Sequence, residues 1–502
     1  MSEHYDVVLV GAGLSGIGAA CHLRRECPEK RVLILEGREA LGGTWDLFRY
    51  PGIRSDSDMF TFGFAFEPWR DAKAIADGPS ILAYLRATAE KHGVDRLIRY
   101  GHRVRQASWS SADARWTLDV LLADGTSARF TASFLWMCTG YYRYDHGYTP
   151  EFPGRERFRG KVIHPQLWPE DLDYSGQNVV VIGSGATAMT LVPAMAEKAG
   201  HVTMLQRSPT YVVTRPAKDS IAEKLQRHLP ERLAYSVARW KNVSLGTLFY
   251  QLARRRPERM KAWLLREVRR ALGPDVDVDA HFTPTYNPWD QRLCLVPDRD
   301  LFKALRSGKA SVVTDTIETF TEGGIRLRSG VELPADLIVT ATGLELLFLG
   351  GATLMVDGEI IDPPGLYSYK GMMFSGVPNL AFTAGYTNAS WTLKADLVAE
   401  HVCRLLKRMD RRGDRVVTPR VEDDVEPAPF LDLASGYIQR AVDRFPRQGS
   451  RHPWRLHQNY FLDLLSLRYG KVEDPVLEFS RGPASGAKAE DGAGARGRAR
   501  AS

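Results

Sequence analysis

The sequence predicts an α/β fold with two Rossmann-like dinucleotide-binding domains and a helical insertion. Two stretches carry this prediction, because residues 6–16 and 178–188 each join a short apolar, β-branched run to a glycine-rich turn. The third observation is the arginine-rich stretch 216–287, whose apolar residues are spaced as in helices. With 502 residues, the chain has room for roughly three domains of about 150 residues each.

The first βαβ unit starts at Asp6. Residues 6–10 predict a buried parallel strand, residues 17–26 a helix, and residues 31–36 a second strand that ends in Glu36. The helix N-terminus can hold a pyrophosphate, and an acid at the end of the second strand can accept hydrogen bonds from ribose hydroxyls. The alternative is a glycine-rich turn without a ligand. The glycines of this turn are Gly11, Gly13 and Gly16.

The second unit repeats the pattern with two informative changes. Alanine replaces the third glycine, which the motif permits, and the next strand ends in Arg207 and Ser208 instead of an acid. An arginine binds a 2′-phosphate through a charge-assisted fork, so this site should prefer NADPH to NADH. The alternative is a surface arginine on a solvated strand end. The turn residues predicted to contact this cofactor are Gly183, Gly185, Thr187 and Ala188.

Two dinucleotide sites on one chain imply electron transfer between two cofactors. The acid-ended site suits FAD, and the arginine-ended site suits NADPH. We therefore predict an FAD-binding domain of residues 1–144 and 368–480, a linker of residues 145–174, an NADPH-binding domain of residues 175–215 and 288–345, a helical insertion of residues 216–287 and a disordered tail of residues 481–502.

The cysteines bear on where the electrons go. All five are scattered and none forms a C-x-x-C pair, so a thiol redox pair is not indicated and O2 is the favoured electron acceptor. We predict no metal site. The sequence contains neither a long apolar run nor a secretory signal, which leads us to expect a cytoplasmic protein. A net charge of +7 does not indicate a nucleic-acid partner.

A third motif lies between the two glycine-rich turns. Phe158, Gly160, His164 and Trp168, followed by Pro169, have the spacing F-x-G-x-x-x-H-x-x-x-W-P. This stretch resembles the fingerprint of type I Baeyer–Villiger monooxygenases. Longer strings are similar to the branch of bacterial ethionamide-activating flavoprotein monooxygenases, and these are GGTWDLFRYPGIRSDSDM, IHPQLWPEDLDY, YNPWDQRLCLVP and GYTNASWTLKADL.

The resemblance implies that NADPH reduces the flavin and that a flavin C4a-peroxide then converts ketones to esters or lactones. It implies oxygenation of sulfur in sulfides or thioamides by the same species. Arg292 would be the fixed cation beside the peroxide, with Asp56 holding the guanidinium, although a purely structural Arg–Asp pair is the alternative. The matched strings also place Gly43, Thr44, Trp45 and Asp56 at the cofactors.

Three further positions follow from the resemblance. His164 and Trp168 would form a hinge between the domains, the alternative being a structural histidine in a rigid loop. Trp391 would lie near NADP or the active-site wall, the alternative being plain core. Gln291 stands where many family members have a lysine that helps to bind the 2′-phosphate, so NADPH preference would rest on Arg207 and Ser208.

The helical insertion is strongly basic between Arg254 and Arg270, and it contains Trp240 and Trp263. Such a segment either contacts an anionic membrane surface or is a solvated helix face. Two other functions stay open from the sequence, namely a monooxygenase restricted to heteroatoms and an uncoupled NADPH oxidase.

Overall fold

A computed structural model describes residues 3–71, 73–291, 293–431 and 435–482. From residue 483 onward the predicted disordered tail lies outside the described residues, and so does Arg292.

The strands, in chain order, are β1 (Glu3–Val10), β2 (Val32–Leu35), β3 (Ile98–Arg99), β4 (His102–Ser110), β5 (Arg115–Leu122), β6 (Ser127–Met137), β7 (Lys161–Ile163), β8 (Asn178–Ile182), β9 (His201–Gln206), β10 (Val212–Arg215), β11 (Cys294–Pro297), β12 (Ala310–Thr314), β13 (Ile317–Thr321), β14 (Gly324–Leu327), β15 (Glu332–Pro334), β16 (Leu337–Thr340), β17 (Thr353–Val356), β18 (Glu359–Ile360), β19 (Ser368–Tyr369), β20 (Met373–Phe374), β21 (Leu380–Phe382), β22 (Val416–Pro419), β23 (Pro427–Pro429), β24 (Arg447–Gly449) and β25 (Leu477–Ser480).

The α-helices are α1 (Leu14–Glu26), α2 (Thr44–Leu47), α3 (Met59–Phe62), α4 (Gly78–Lys91), α5 (Ala186–Met195), α6 (Ser220–His228), α7 (Glu231–Arg255), α8 (Pro257–Leu272), α9 (Val278–His281), α10 (Asp300–Arg306), α11 (Trp391–Arg412), α12 (Gly436–Gln439) and α13 (Tyr460–Asp463). A π-helical segment, Leu464–Tyr469, follows α13. Short 3-10 turns include Pro165–Leu167 in the fingerprint stretch.

The first sheet has the strand order β18-β17-β4-β5-β6-β1-β2-β3, and β21 pairs with the end of β6. Its parallel part, β6-β1-β2-β3, is the first predicted βαβ unit with its neighbours. The predicted domain ranges leave residues 346–367 unassigned, and β17 and β18 lie there and extend this sheet.

The second sheet is parallel throughout, in the order β12-β9-β8-β16-β7. In β8 and β16 all but one residue are buried, because α5 and α10 cover the strands of this half and residues such as Val181 and Val339 fill the core between. The strands from β12 to β16 have the Rossmann order 3-2-1-4. The predicted α/β class with two Rossmann-like domains is confirmed.

Helices α6–α9 occupy residues 220–281. The longest of them, α7, packs against α3 of the first half. Its Arg239 is buried and donates hydrogen bonds to the carbonyl oxygens of Phe60 (3.0 Å) and Gly63 (2.6 Å), and its guanidinium lies 3.3 Å from Asp396 of α11. The insertion is thus anchored to the first half by a buried charge. Among the described residues, we find no helix with the length and apolar character needed to cross a bilayer.

Candidate active site between the two glycine-rich turns

The first glycine-rich turn joins β1 to α1 and leaves no room for a Cβ at Gly11 or Gly16. Gly11 has φ +105°, and a Cβ there would lie 2.6 Å from the carbonyl oxygen of Cys138. In α1, a Cβ on Gly16 would lie 1.9 Å from the carbonyl oxygen of Gly11. Gly13 is the N-cap of α1. The turn is therefore a bare backbone cradle at a helix N-terminus, which fits a pyrophosphate.

Glu36 directly follows β2 and is only 7% exposed. Its Oε2 accepts a hydrogen bond from the N–H of Ala12 (2.7 Å), and its Oε1 accepts one from the N–H of Arg38 (2.9 Å). Burial raises the pKa of this carboxyl, although both hydrogen bonds act in the opposite direction. Each oxygen has a second lone pair, so Glu36 is still able to accept from a ribose hydroxyl.

Residues 43–45 lie against the first turn. Gly43 has φ +57°, and a Cβ there would lie 3.1 Å from the Cα of Gly13. Thr44 Oγ1 lies 3.3 Å from the hydroxyl of Tyr144, and Trp45 packs edge-on against Phe62 with 5.5 Å between ring centroids. The segment predicted to contact a cofactor is therefore adjacent to the cradle.

The second glycine-rich turn joins β8 to α5 and has the same construction. Gly183 has φ +141°, and a Cβ there would lie 2.3 Å from the carbonyl oxygen of Ala341. Gly185, the N-cap of α5, differs: no described heavy atom would lie within 4 Å of its Cβ. Ala188 is fully buried in the helix, and Thr187 hydrogen-bonds the phenol of Tyr50. Open space beside Gly185 fits a second pyrophosphate close to the backbone.

Arg207 and Ser208 follow β9, and both are exposed. The Ser208 carbonyl oxygen accepts a hydrogen bond from the hydroxyl of Ser184 (2.9 Å), which ties this strand end to the second glycine-rich turn. Arg207 is thus an exposed cation next in sequence to a residue of this contact, and its binding of a 2′-phosphate stays a prediction.

A single cavity of about 580 Å³ connects the two halves. The predicted site residues that line it are Thr44, Trp45, Asp56, Gly185, Thr187, Ser208 and Trp391. The other described ones do not line it, and they are Gly11, Gly13, Gly16, Glu36, Gly43, His164, Trp168, Gly183, Ala188 and Arg207. In the described ranges we find no group of three His, Cys, Asp or Glu side chains suited to a metal ion.

Asp56 is exposed and faces this cavity. Its predicted partner Arg292 is outside the described residues, so the pairing of the two stays a prediction. The adjacent Gln291 lines the cavity.

His164 bridges separate parts of the chain. Its Nε2 lies 3.0 Å from the carbonyl oxygen of Gly343, and its Nδ1 lies 3.2 Å from the N–H of Gln166. A carbonyl only accepts and an amide N–H only donates, so the proton is on Nε2. Burial lowers the pKa of this imidazole and so favours the neutral ring, although the hydrogen bond to Gly343 acts in the opposite direction. The histidine therefore fastens the fingerprint stretch to the end of β16.

Replacing His164 with alanine is expected to lower the rate of oxygenation by about 10- to 100-fold while FAD content changes little. The reason is that the variant loses the tie between the fingerprint stretch and the end of β16, which the predicted hinge would need, and not a contact to the first turn. Absorbance gives the FAD content, and NADPH consumption with product analysis gives the rate. His228→Ala on exposed α6 is the control. Equal activity of the His164 variant and the control would refute the hinge.

The two predicted tryptophans have different surroundings. Trp168 is half-buried, packs edge-on against Tyr174 and contacts the core of the second half. Trp391 is the first residue of α11, donates a hydrogen bond from Nε1 to the hydroxyl of Ser15 (2.7 Å) and lines the cavity. Its contact with α1 places it in the wall on the side of the first glycine-rich turn.

Sequence patterns did not indicate a third wall of the cavity, formed by α7 and the turn near Trp289. The lining residues of α7 are Asn242, Val243, Gly246, Thr247, Phe249, Tyr250 and Gln251. Trp289 has φ +72°, rare for a bulky residue, and packs edge-on against Tyr250 at 5.4 Å. The sequence signals were Gly246 inside a helical pattern and Trp289 after a proline in the string YNPWDQRLCLVP, and neither indicated a cavity wall.

Comparison with known families agrees with this geometry. The model of flavin-binding monooxygenase-like proteins matches residues 68–245, and the model of an NAD(P)-binding Rossmann-like domain matches residues 9–77. The chain is 58% identical to the FAD-containing monooxygenase EthA of Mycobacterium tuberculosis over 486 residues, which cover 96% of this chain and 99% of EthA.

Solved structures share the fold. An oxidized steroid monooxygenase bound to NADP has a TM-score of 0.75 at 23% identity, covering 95% of this chain and 100% of that one. An ε-caprolactone-bound cyclohexanone monooxygenase has a TM-score of 0.70 at 18% identity, with the same two coverages, 95% and 100%. At such identities the likeness concerns the fold alone.

Two Rossmann-like folds that meet at one cavity define an oxidoreductase that works with two dinucleotides. The full-length identity is more specific: the chain belongs to the family of FAD-containing monooxygenases that includes EthA. This confirms the predicted branch and the predicted class of enzyme, a flavin monooxygenase.

Proposed function

We propose that this chain uses FAD and NADPH to insert one oxygen atom of O2 into a ketone, giving an ester or lactone, and also oxygenates sulfur in sulfides and thioamides. The other oxygen atom leaves as water, and NADPH supplies the two electrons with a proton from solvent. This proposal depends mainly on one observation. The same cavity is lined by residues 44–45, which lie beside the first glycine-rich turn, and by residues 184–187, which belong to the second.

Different residues of the chain would bind the two cofactors and stabilise charge at the reacting oxygen. Gly11, Gly13 and Glu36 would hold FAD, with Gly43, Thr44 and Trp45 beside it. FAD, when bound there, would supply the chemistry of accepting a hydride from NADPH and activating O2. We assign to Arg292 the fixed positive charge at the reacting oxygen, oriented by Asp56, because a guanidinium stays protonated where an amine loses its proton. The residues that would hold NADPH are Gly183, Gly185, Thr187, Arg207 and Ser208.

The apolar wall has its own part in the reaction. Trp45, Phe62 and Trp391 line the cavity together with the rings of α7. Such a wall excludes water and strengthens the electrostatic effect of a charge inside.

Replacing Arg207 with alanine is expected to raise the KM for NADPH by about 10- to 100-fold and to leave the KM for NADH unchanged. Charge-assisted hydrogen bonds to the 2′-phosphate contribute about 1.5–3 kcal/mol, and NADH lacks that group. Steady-state kinetics with both reductants give the measurement, and exposed Arg306→Ala is the control. If both reductants lose affinity alike, Arg207 does not contact the 2′-phosphate.

Product analysis tests the function itself. The FAD-loaded enzyme is given NADPH, ¹⁸O2 and matched ketones and sulfides, and esters and sulfoxides are identified by mass spectrometry while H2O2 is quantified. We expect one labelled oxygen atom per product and, in Arg292→Ala, no ester. If the H2O2 formed equals the NADPH consumed and no oxygenated product appears, the chain is an oxidase. Sulfoxide without ester would limit it to heteroatoms.

We also propose a cytoplasmic enzyme that rests on an anionic membrane surface through the outer face of α7. Leu233, Leu248 and Leu252 there are 50%, 53% and 42% exposed, an unusual row of apolar side chains for a free surface. Trp240 of the same face packs against Phe461, beside exposed Leu462 and Leu465. Exposed cations adjoin the row at the end of α7, and they are Arg254, Arg255 and Arg256.

Leu248→Glu is expected to abolish sedimentation with vesicles that contain phosphatidylglycerol, because it places a negative charge in the apolar row. Wild-type protein should sediment with these vesicles at low salt and not with pure phosphatidylcholine. Ile360→Glu, at a site 70% exposed on β18, is the control and should bind like wild type. Absence of wild-type binding would leave α7 a solvated face.

A further inference from the structure

Gly246 lies in the interior of α7, a helix of 25 residues. Glycine there costs about 0.5–1 kcal/mol relative to alanine, because it has more backbone freedom to lose. Most helix glycines with a structural reason allow a close approach by another element. In α1, for example, a Cβ on Gly18 would lie 2.6 Å from the ring of Phe64.

No such neighbour accounts for Gly246. Apart from its two chain neighbours and the helix's own backbone, no heavy atom of the described residues lies within 4 Å of the position its Cβ would take. The helix also runs without interruption from Glu231 to Arg255, so the glycine does not end it. Empty space beside a half-buried glycine is therefore the feature to be explained.

That space belongs to the cavity. Val243, Gly246, Thr247 and Tyr250 all line it, and their spacing of three and four residues puts them on one face of α7. Val243 and Tyr250 flank Gly246 on this face, and Tyr250 packs against Trp289. The face is thus a shallow trough, with Gly246 as its floor and larger side chains along it.

The α7 side of the cavity combines apolar side chains with the polar Asn242, Thr247 and Gln251. Leu293, Phe249 and Trp289 line the cavity beside the trough, and they belong to the small apolar cluster around Tyr211 and Leu264. The start of α5, by contrast, offers backbone N–H groups and hydroxyls. A hydrocarbon group fits the α7 side, and a phosphate fits the α5 side.

We propose that Gly246 is a specificity-determining residue: its missing side chain leaves room for an apolar arm of the organic substrate along the inner face of α7. This inference rests on the proposed function, in which the ketone or sulfur group at the opposite end of the same substrate reacts. A side chain at position 246 would shorten the trough.

The test compares Gly246→Leu and Gly246→Ala with wild type on methyl ketones of increasing chain length. For Gly246→Leu, kcat/KM for the longest ketone that wild type accepts is expected to fall by about 10- to 100-fold, while the shortest ketone changes less than about threefold. Gly246→Ala should show the same order with a smaller effect, and its melting temperature should not fall. Ser244→Leu, on the exposed face of α7, is the matched control and should behave like wild type.

Binding measured without turnover separates this inference from the proposed reaction. Linear alkyl amides of increasing length offer the same shape without being oxygenated, and calorimetry gives their affinities for the FAD-loaded protein. Wild type should bind longer amides more tightly, and Gly246→Leu should lose that gain. If no ketone is oxygenated but the amide result holds, the proposed function fails and the trough stands. An equal loss at all lengths, or no loss at the longest, would overturn the role of Gly246.

Discussion

Replacing Asp396 with alanine is expected to lower the free energy of unfolding by about 3–5 kcal/mol, because it leaves the guanidinium of Arg239 buried without its counter-charge. Asp396 of α11 is 3% exposed. Its Oδ1 lies 3.2 Å from Nε2 of His22, and its Oδ2 accepts a hydrogen bond from the N–H of Ala65 (2.9 Å). One carboxylate thus joins α1, α7, α11 and the segment after α3.

The sign of the pH dependence follows from the same contacts. Burial disfavours the charged carboxylate, but hydrogen bonding from His22 and the positive charge of Arg239 together hold the pKa of Asp396 below its ordinary value of 3.8. The group therefore stabilises the fold fully above that value and loses this contribution as the pH falls through its lower folded-state pKa. The difference between wild type and variant should therefore shrink as the pH falls below 3.8.

Unfolding of the FAD-loaded protein by guanidinium chloride, followed by tryptophan fluorescence, measures this effect. Asp410→Ala is the matched control on the same helix. Its partner is Lys30 at 2.6 Å, but its side chain is 47% exposed, so the expected loss is about 0–1 kcal/mol. Equal losses in the two variants would show that Arg239 is satisfied by the backbone carbonyl oxygens alone.

Two glycines of the second turn should respond in opposite ways to the same added methyl group. Gly183→Ala is expected to destabilise the NADPH-binding half by about 1–3 kcal/mol for the backbone conformation, with a similar cost for the clash against the Ala341 carbonyl oxygen. Gly185→Ala should change stability by less than about 0.5 kcal/mol, because its φ of −81° is ordinary and its Cβ points into open space.

For cofactor binding, Gly185→Ala is the informative variant, because it should bind NADPH more weakly without losing stability. In Gly185→Ala the methyl group stands where the backbone would approach a pyrophosphate, so the KM for NADPH is expected to rise about tenfold or more in a protein with a normal melting temperature. Thermal unfolding and NADPH kinetics on both variants provide the two readouts. A Gly185 variant with unchanged KM would mean that no phosphate approaches this turn.

Local order along the chain was enough to predict the two βαβ units. In each, a buried strand, a glycine-rich turn and a helix N-terminus follow one another within a few residues. Their geometry depends on neighbours in sequence, so Gly11, Gly183, Glu36 and Arg207 lie where the pattern places them. Long shared strings predicted the family because they sample many positions at once.

The cavity could not be predicted in the same way. Trp391 meets Ser15, His164 meets Gly343, and β17 joins the sheet of β1, although each pair is separated by more than about a hundred residues of chain. The role of Gly246 cannot be read from the sequence, because a cavity beside a helix does not change the periodic pattern of apolar residues along it. Such contacts arise from long-range packing of whole elements, in which burial of apolar faces selects the arrangement, and residue spacing records only which face is apolar and not what it meets.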